Sequence, residues 1–199
     1  MSNIDEQRNK RLIIGVSGAS GAIYAIRLLH LMQQVPTIET HLVLSDAART
    51  TISLETDYKV DDVLALASRV YDFRDLAAPI SSGSFQSLGM VIIPCSMKTL
   101  SGIVNSYSDN LLIRAADVVL KERRRLVLAV RESPLHLGHL RLMVQATEIG
   151  AAIAPAMPAF YNHPKTIQDI LDYSITRILD LLDINIEQDH CSRWGEQAS

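Results

Sequence analysis

The chain has 199 residues, 48% of them hydrophobic, and a formal net charge of −3, which predicts one domain with a three-layer core. The mild negative charge argues against a nucleic-acid partner, and no apolar run approaches the ~20 residues that a membrane helix needs. Cys95 and Cys191 are too few and too far apart for a disulfide framework or a zinc site. We therefore expect a cytoplasmic protein without nucleic-acid binding or membrane insertion.

The first predicted element, residues 11–29, reads RLIIGVSGASGAIYAIRLL, which indicates an apolar strand, a Gly/Ser turn and a helix. Glycines recur every third residue from Gly15 to Gly21, with Ser17 and Ser20 between them as hydroxyl donors. A turn that leads into a helix presents free N–H groups and the positive end of the helix dipole, and so favours a phosphate. The spacing is neither GxGxxG nor a P-loop, so a tight structural turn is the alternative.

The second predicted strand, residues 40–44, ends at Ser45 and Asp46. A dinucleotide site usually places an acidic residue near this point, to bind the ribose. Ser45 is instead a neutral donor, which suits a terminal phosphate, while Asp46 is compatible with either a ribose contact or a helix cap. A mononucleotide is therefore favoured over a dinucleotide.

Farther along the chain, short apolar runs alternate with segments of helical periodicity. Helices are predicted at residues 47–53, 61–67, 111–124, 137–149 and 166–182, and strands at 70–73, 89–93, 126–130 and 151–154. In the last helix, Thr166 with Asp169 resembles a capping box. This alternation predicts an α/β fold, a three-layer doubly wound (Rossmann or flavodoxin-like) parallel sheet with helices on both faces.

The predicted domain boundaries follow the same elements. Residues 1–10 are polar and lack the apolar core of a signal peptide, so we expect a disordered leader there. A single domain is expected over residues 11–184. Residues 185–199 form a tail, a candidate for packing on a neighbouring subunit.

Ligands of doubly wound sheets bind beyond the carboxyl ends of the strands. That rule selects residues 18–21, Ser45, residues 96–99, Arg131 and Glu132. A surface ion pair is the alternative for Arg131 and Glu132. For Arg177, at the edge of the apolar stripe of the last helix, the alternatives are an inward anion anchor or a stem that only covers the core.

Other reactive side chains are expected to be structural. Cys95 is expected to be a small buried residue rather than a nucleophile. His136 and His139 have no carboxylate or cysteine at useful spacing, so metal ligation is not predicted. The basic run over residues 121–125 is interpreted as a solvated helix end.

Taken together, these residues make the chain resemble the flavin prenyltransferases, the UbiX-type family. The resemblance extends from about Arg11 to Trp194. The motifs that carry it are SGASGA at 17–22, LVLSDAA at 42–48, SLETD at 53–57, ISSGS at 80–84, PCSMKTLSGI at 94–103, RAADVVLKERR at 114–124, VRESPLHLGHL at 130–140 and PAFY at 158–161.

The resemblance implies a metal-independent prenyltransferase. The family joins the dimethylallyl group of dimethylallyl phosphate to N5 and C6 of reduced FMN, and the product, prenylated FMN, serves a client decarboxylase such as the one in ubiquinone biosynthesis. The implied assembly is a homo-oligomer, a dodecamer with sites at subunit contacts.

The site residues implied by the resemblance fall into three groups. The FMN contacts are Gly18, Ala19, Ser20, Ser45, Ser96, Met97, Lys98, Thr99 and Arg131. The residues that bind the prenyl phosphate or line its site are Arg114, Lys121, Tyr161 and Arg177. The catalytic residues are Glu132, which matches a proton-transfer residue, with Arg131, Lys121 and Ser20.

Two alternatives compete with this assignment. One is an FMN-dependent decarboxylase of aromatic acids, such as polyprenyl-hydroxybenzoate, on the same fold. The other is an FMN carrier without chemistry of its own, which would have no use for a second phosphate site.

Overall fold

The computed structural model describes residues 10–186, so the predicted leader, apart from Lys10, and nearly all of the predicted tail lie outside the described residues. The strands are β1 (Lys10–Val16), β2 (Ile38–Leu44), β3 (Arg69–Tyr71), β4 (Gly89–Cys95), β5 (Arg125–Val130) and β6 (Ala151–Ile153). The helices are α1 (Ala22–Met32), α2 (Asp46–Glu55), α3 (Val60–Ala65), α4 (Met97–Val104), α5 (Leu111–Lys121), α6 (Leu137–Glu148) and α7 (Ile167–Leu181), with short 3₁₀ turns at Pro79–Ser81 and Phe160–Asn162.

The strands form one parallel sheet in the order β3-β2-β1-β4-β5-β6. The chain therefore winds outward from β1 to one side as far as β3, then crosses back and winds outward to the other side from β4. All carboxyl ends lie along one edge of the sheet and all amino ends along the opposite edge. The predicted doubly wound α/β fold is confirmed.

Side chains of the central strands alternate between two cores, one on each face. Leu12 and Ile14 of β1 pack in the core that α1 and α7 cover, whereas Ile13 packs in the core that α4 and α5 cover. Both cores are fully apolar at their centres, which is why the sequence shows continuous apolar runs rather than alternation. None of the helices in residues 10–186 is long and apolar enough to cross a membrane.

Most predicted elements occur within a few residues of their expected bounds, and the capping box of α7 is present. One helix was missed, since residues 96–99 were interpreted as a ligand loop and no helix was expected to follow. Gly102 lies in the middle of this helix, α4, and weakens the local helical signal. A Cβ at Gly102 would lie 2.4 Å from Cδ1 of Ile113, so glycine is what allows α4 to pack closely against α5.

Candidate functional site

The site lies where the winding direction of the sheet reverses. β1 is flanked by β2 and β4, and the chain leaves these neighbours in opposite directions, which opens a crevice at their carboxyl ends. The N-termini of α1, α2 and α4 all point toward this edge, because each helix follows its strand directly. The edge is therefore rich in backbone N–H donors and favours anions.

Ser17 joins the ends of β1 and β4 at the crevice. Its buried hydroxyl donates to the carbonyl of Pro94 at 2.8 Å and accepts the N–H of Ser96 at 2.7 Å. The sequence suggested Ser17 as a hydroxyl donor for a ligand. In the structure this hydroxyl instead holds the start of α4 against the Gly/Ser turn, so the interpretation as a ligand donor was wrong for Ser17.

Two of the serines predicted to bind FMN cap helices. The hydroxyl oxygen of Ser45 accepts the N–H of Ala48 at 3.0 Å at the start of α2, and that of Ser96 accepts the N–H of Thr99 at 3.3 Å at the start of α4. Ser45 keeps its hydroxyl hydrogen for a ligand in this arrangement. Asp46 does not supply the cap, and its carboxylate pairs with Arg74 instead.

The N-terminus of α1 holds an anion from the chain itself. The carboxylate oxygen Oε2 of Glu55 accepts the N–H groups of Gly21 at 2.8 Å and Ala22 at 3.2 Å. Burial raises the pKa of Glu55, but hydrogen bonds from Ser20, Gly21 and Ala22 together with the charge of Arg131 outweigh this effect, so its pKa is lowered overall. Sequence reasoning missed Glu55, although it stands within the quoted SLETD motif.

Gly18 packs against the start of α2 with no room for a side chain. A Cβ on Gly18 would lie 2.3 Å from the Cβ of Ala47. The Gly/Ser turn and the Ser45 cap are thereby held side by side, as the prediction of a shared phosphate site requires. Glu55 occupies the first N–H groups of α1. The donors left for a ligand phosphate are therefore those of residues 18–20 and of the N-termini of α2 and α4.

A cavity of about 370 Å³ opens at the crevice. It is lined by Ser20, Gly21, Tyr24, Ile93, Pro94, Ala129, Val130, Arg131, Glu132, Ser133, Pro155 and Ala156. The wall is apolar where β4 and β5 end, and polar where Ser20, Arg131 and Glu132 meet. The N–H of Arg131 donates to the carbonyl of Cys95 at 3.0 Å, so both charged residues leave the sheet at the end of β5. The structure thus brings three of the four predicted catalytic residues into one cavity.

A second cavity, of about 240 Å³, shares Pro155 with the first and is lined by Arg177 and Tyr173 of α7. The guanidinium of Arg177 is exposed and pairs with Asp180 at 2.6 Å. Tyr161 reaches this place from the segment after β6, since its hydroxyl lies 2.6 Å from the hydroxyl of Tyr173. Tyr161 and Arg177 therefore both lie near Tyr173, and the cavity that Arg177 lines adjoins the cavity that holds Arg131.

Lys121 and Arg114 lie apart from these cavities within one chain. Lys121 ends α5 immediately before β5 begins, so it lies at the amino edge of the sheet, where it pairs with Glu122. Arg114 pairs with Asp117 at 2.9 Å on the same helix. Neither residue lines the cavity of Arg131, so a shared ligand would require Lys121 from another copy of the chain.

The remaining predicted contacts begin α4. Met97 and Lys98 are partly or fully exposed, while Thr99 is buried. Lys98 lines a third cavity, of about 420 Å³, between α4 and the start of α5. The structure therefore places Met97, Lys98 and Thr99 in the first turn of α4, at the carboxyl edge of the sheet.

Cys95 is buried and His136 caps a helix. Cys95 is fully buried, and burial raises the pKa of its thiol to about 12, which leaves little thiolate for nucleophilic chemistry. Nδ1 of His136 accepts the N–H of Gly138 at 3.0 Å as the cap of α6. Over residues 10–186, no three side chains of His, Cys, Asp or Glu come together where they could hold a metal ion.

A parallel sheet with anion-binding turns and a part-apolar crevice at its switch point is the architecture of nucleotide-binding flavoproteins. The model of the Flavoprotein family matches residues 1–179. Flavin prenyltransferase UbiX of Escherichia coli K12 is 63% identical over 185 residues, which cover 93% of this chain and 98% of that protein.

Solved structures agree with this match. The crystal structure of AnUbiX (PadA1) in complex with FMN and dimethylallyl pyrophosphate superposes with a TM-score of 0.92 at 46% identity, covering 96% of this chain and all of that one. A dodecameric FMN-dependent UbiX-like decarboxylase from E. coli O157:H7 gives 0.89 at 50% identity, over 92% and 98% of the two chains. The chain belongs to the UbiX family of flavin prenyltransferases, as the sequence motifs predicted.

Proposed function

We propose that this protein transfers the dimethylallyl group of dimethylallyl phosphate to N5 and C6 of reduced FMN and releases prenylated FMN to a client decarboxylase. The observation that carries the proposal is the cavity that joins Ser20, Arg131 and Glu132 at the switch point of the sheet, in a chain 63% identical to a flavin prenyltransferase. Arg177 and Tyr161 stand beside it.

The residues around the crevice fit FMN. Ser45 and Ser96 cap helix N-termini suited to a phosphate, and Gly18 packs beside the first of them. Ile93 and Val130 offer an apolar wall for a flat ring. When bound in its reduced form, FMN supplies the nucleophilic atoms that accept the prenyl group.

The cations of the two adjoining cavities, Arg131 in the first and Arg177 in the second, hold the phosphate of the donor. Arg177, Arg131 and the hydroxyl of Tyr161 can neutralise the charge that grows on the phosphate as the allylic C–O bond breaks. This role would otherwise require a metal ion. We therefore expect transfer from dimethylallyl phosphate to survive EDTA, whereas loss of activity that magnesium restores would indicate a diphosphate donor.

The two carboxylates of the crevice, Glu132 and Glu55, have different roles. Glu132 lines the cavity, and its Oε1 accepts the N–H of Ser133 at 3.0 Å, which holds the carboxylate close to the backbone. Glu55 lies on the other side of Ser20 and is held in its ionised form by hydrogen bonds. We assign proton transfer to Glu132, and to Glu55 the orientation of the Ser20 hydroxyl.

Lys121 joins the donor site only from a neighbouring chain in this scheme, which agrees with a homo-oligomer such as the dodecamer expected by resemblance. The test is complementation. Lys121→Met and Arg177→Met are each expected to be nearly inactive at donor concentrations near the wild-type KM, because each loses a cation of the donor site. Oligomers reassembled from a mixture of the two should regain a measurable fraction of activity under the same conditions, because some sites combine two intact halves. Persistent inactivity of properly mixed oligomers would contradict the shared site.

The deciding experiment is the mass of the flavin after anaerobic incubation of the protein with reduced FMN and dimethylallyl phosphate. A gain of one prenyl unit supports the transferase. An unchanged flavin would favour one of the two alternatives, which consumption of an aromatic acid then separates: a decarboxylase consumes it and a carrier does not.

A further inference from the structure

We propose that Tyr173 is a positioning residue that sets the place of the Tyr161 hydroxyl in the donor-phosphate site. This inference rests on the proposed function. Its geometric basis is the contact between the two phenols, whose oxygens are 2.6 Å apart and whose rings meet edge to face with centroids separated by 5.9 Å.

The two tyrosines belong to elements of different rigidity. Tyr161 lies on the 3₁₀ turn Phe160–Asn162 within the long irregular segment between β6 and α7, and it is 43% exposed. Tyr173 lies in the second turn of α7. A hydroxyl on a helix has few rotamers, whereas a half-exposed phenol on a short turn has several orientations of similar energy. The helix therefore determines where the hydroxyl of Tyr161 stands.

α7 is itself held against α1 near Tyr173. Arg27 of α1 donates to both carboxylate oxygens of Asp172, at 2.6 and 3.1 Å, and Asp172 is 6% exposed. Two parallel charge-assisted bonds fix both distance and orientation. Because Asp172 precedes Tyr173 directly, the anchor fixes the backbone that carries the second phenol.

Tyr173 also shares a surface with the cation of the donor site. Tyr173 and Arg177 are four residues apart, so they lie on the same face of α7, and both line the 240 Å³ cavity. The hydroxyl of Tyr161 is thus held against a side chain of the cavity that Arg177 also lines, before any phosphate arrives. Preorganised donors bind an anion more tightly, since less conformational freedom is lost on binding.

The test uses the FMN-loaded full chain and two readouts: the Kd of dimethylallyl phosphate for the oxidised holoenzyme, and the KM and kcat of transfer with reduced flavin. Tyr173→Phe should raise both Kd and KM for the donor about three- to tenfold, the effect of one neutral hydrogen bond. The value of kcat should stay within about twofold, and FMN affinity and Tm should be unchanged.

A double-mutant cycle separates positioning from direct contact. If Tyr173 acts through Tyr161, adding Tyr173→Phe to Tyr161→Phe should not weaken donor binding further. Additive effects would overturn the proposal, as would a Tyr173→Phe variant that binds the donor as tightly as the wild type. A parallel loss of Tm and FMN affinity would reveal a merely structural role and would also overturn it.

Tyr71→Phe is the matched control. It removes another tyrosine hydroxyl, which is 2.9 Å from Nδ1 of His41 between β2 and β3, so donor affinity should not change. If the wild-type holoenzyme did not bind dimethylallyl phosphate at all, the proposed function would be wrong, and this inference with it. That result differs from a wild type that binds the donor and a Tyr173→Phe variant that binds it equally well, which would contradict this inference alone.

Discussion

The two edges of the sheet carry charge in opposite ways. At the carboxyl edge, backbone N–H groups at the start of α1 receive a carboxylate from a distant helix, that of Glu55. At the amino edge, charged side chains pair with other charged side chains, such as Lys121 with Glu122 and Arg125 with Asp183. Both edges follow from the same helix dipoles, which are positive at one end and negative at the other.

The two edges also differ in the groups that pair with their charged and polar atoms. The basic side chains of the amino edge lie between the end of α5 and the start of β5, and Arg124 donates to the carbonyl of Gly83 at 2.9 Å and to that of Phe85. The carboxyl edge has small residues and an open cavity. Changes there should therefore alter ligand binding and turnover, whereas changes at the amino edge should alter stability, with Lys121 as the exception through a neighbouring chain.

The largest expected effect is on turnover. Glu132→Gln keeps the oxygen that accepts the N–H of Ser133 but removes a group that can exchange a proton, so kcat should fall about 100-fold or more while FMN still binds. Flavin titration and single-turnover transfer measure the two quantities. Asp183→Asn, the matched loss of a carboxylate at the amino edge, should leave kcat unchanged. Normal turnover of Glu132→Gln would show that the assigned role is wrong.

The next effect is on FMN affinity. Ser45→Asp preserves a good helix cap but adds a negative charge where the flavin phosphate is expected, so the Kd for FMN should rise roughly ten- to a hundredfold. Ser45→Asn caps equally well without the charge and should bind FMN almost normally. If fluorescence titration gives the two variants equal affinities for FMN, the flavin phosphate does not bind at the N-terminus of α2.

Gly18→Val is a less clean probe of the same site. The contact with Ala47, at 2.3 Å from a built Cβ, predicts a loss of stability, of about 1–3 kcal/mol for overpacking. Denaturant unfolding of the apoprotein measures this loss, and an unchanged midpoint would mean that the turn relaxes away from α2.

Donor affinity provides a third comparison. Arg177→Ala removes an exposed cation whose partner, Asp180, lies on the same helix, so the fold should persist. The KM for dimethylallyl phosphate should rise roughly ten- to a hundredfold, the scale of a charge-assisted contact, with FMN affinity spared. Donor-dependent kinetics at saturating flavin decide the matter, and an unchanged KM would place the phosphate elsewhere.

The smallest expected effect is on the pH dependence of stability, through His41 in β2. Burial lowers the pKa of His41, only partly opposed by Glu39, while Arg11 and Arg69 lower it further. The unfolded chain binds the proton more readily, so stability should fall as the pH drops below about 6.5, by at most ~1.4 kcal/mol per pH unit. We expect the free energy of unfolding, measured with urea between pH 7 and 5, to depend less steeply on pH in His41→Gln than in the wild type. The same pH dependence in both proteins would contradict this role of His41.

Local signals were sufficient for much of this molecule. The buried strands, the Gly/Ser turn and the capping box of α7 depend on neighbours within a few residues, so the sequence predicted them. The motif order was also sufficient to place the chain in its family. The helix α4 was missed because its tight packing depends on a distant contact between Gly102 and Ile113.

The tertiary structure alone decided how the site is assembled. Glu55 reaches the N–H of Gly21 from 34 residues away, and Ser17 bonds to Pro94 across 77 residues. Lys121 precedes Arg131 by only ten positions, yet β5 runs between them and separates them by the height of the sheet. Residue periodicity records which face of an element is buried, but it does not record strand order or the edge at which each side chain emerges. Those follow from the winding of the whole chain around β1.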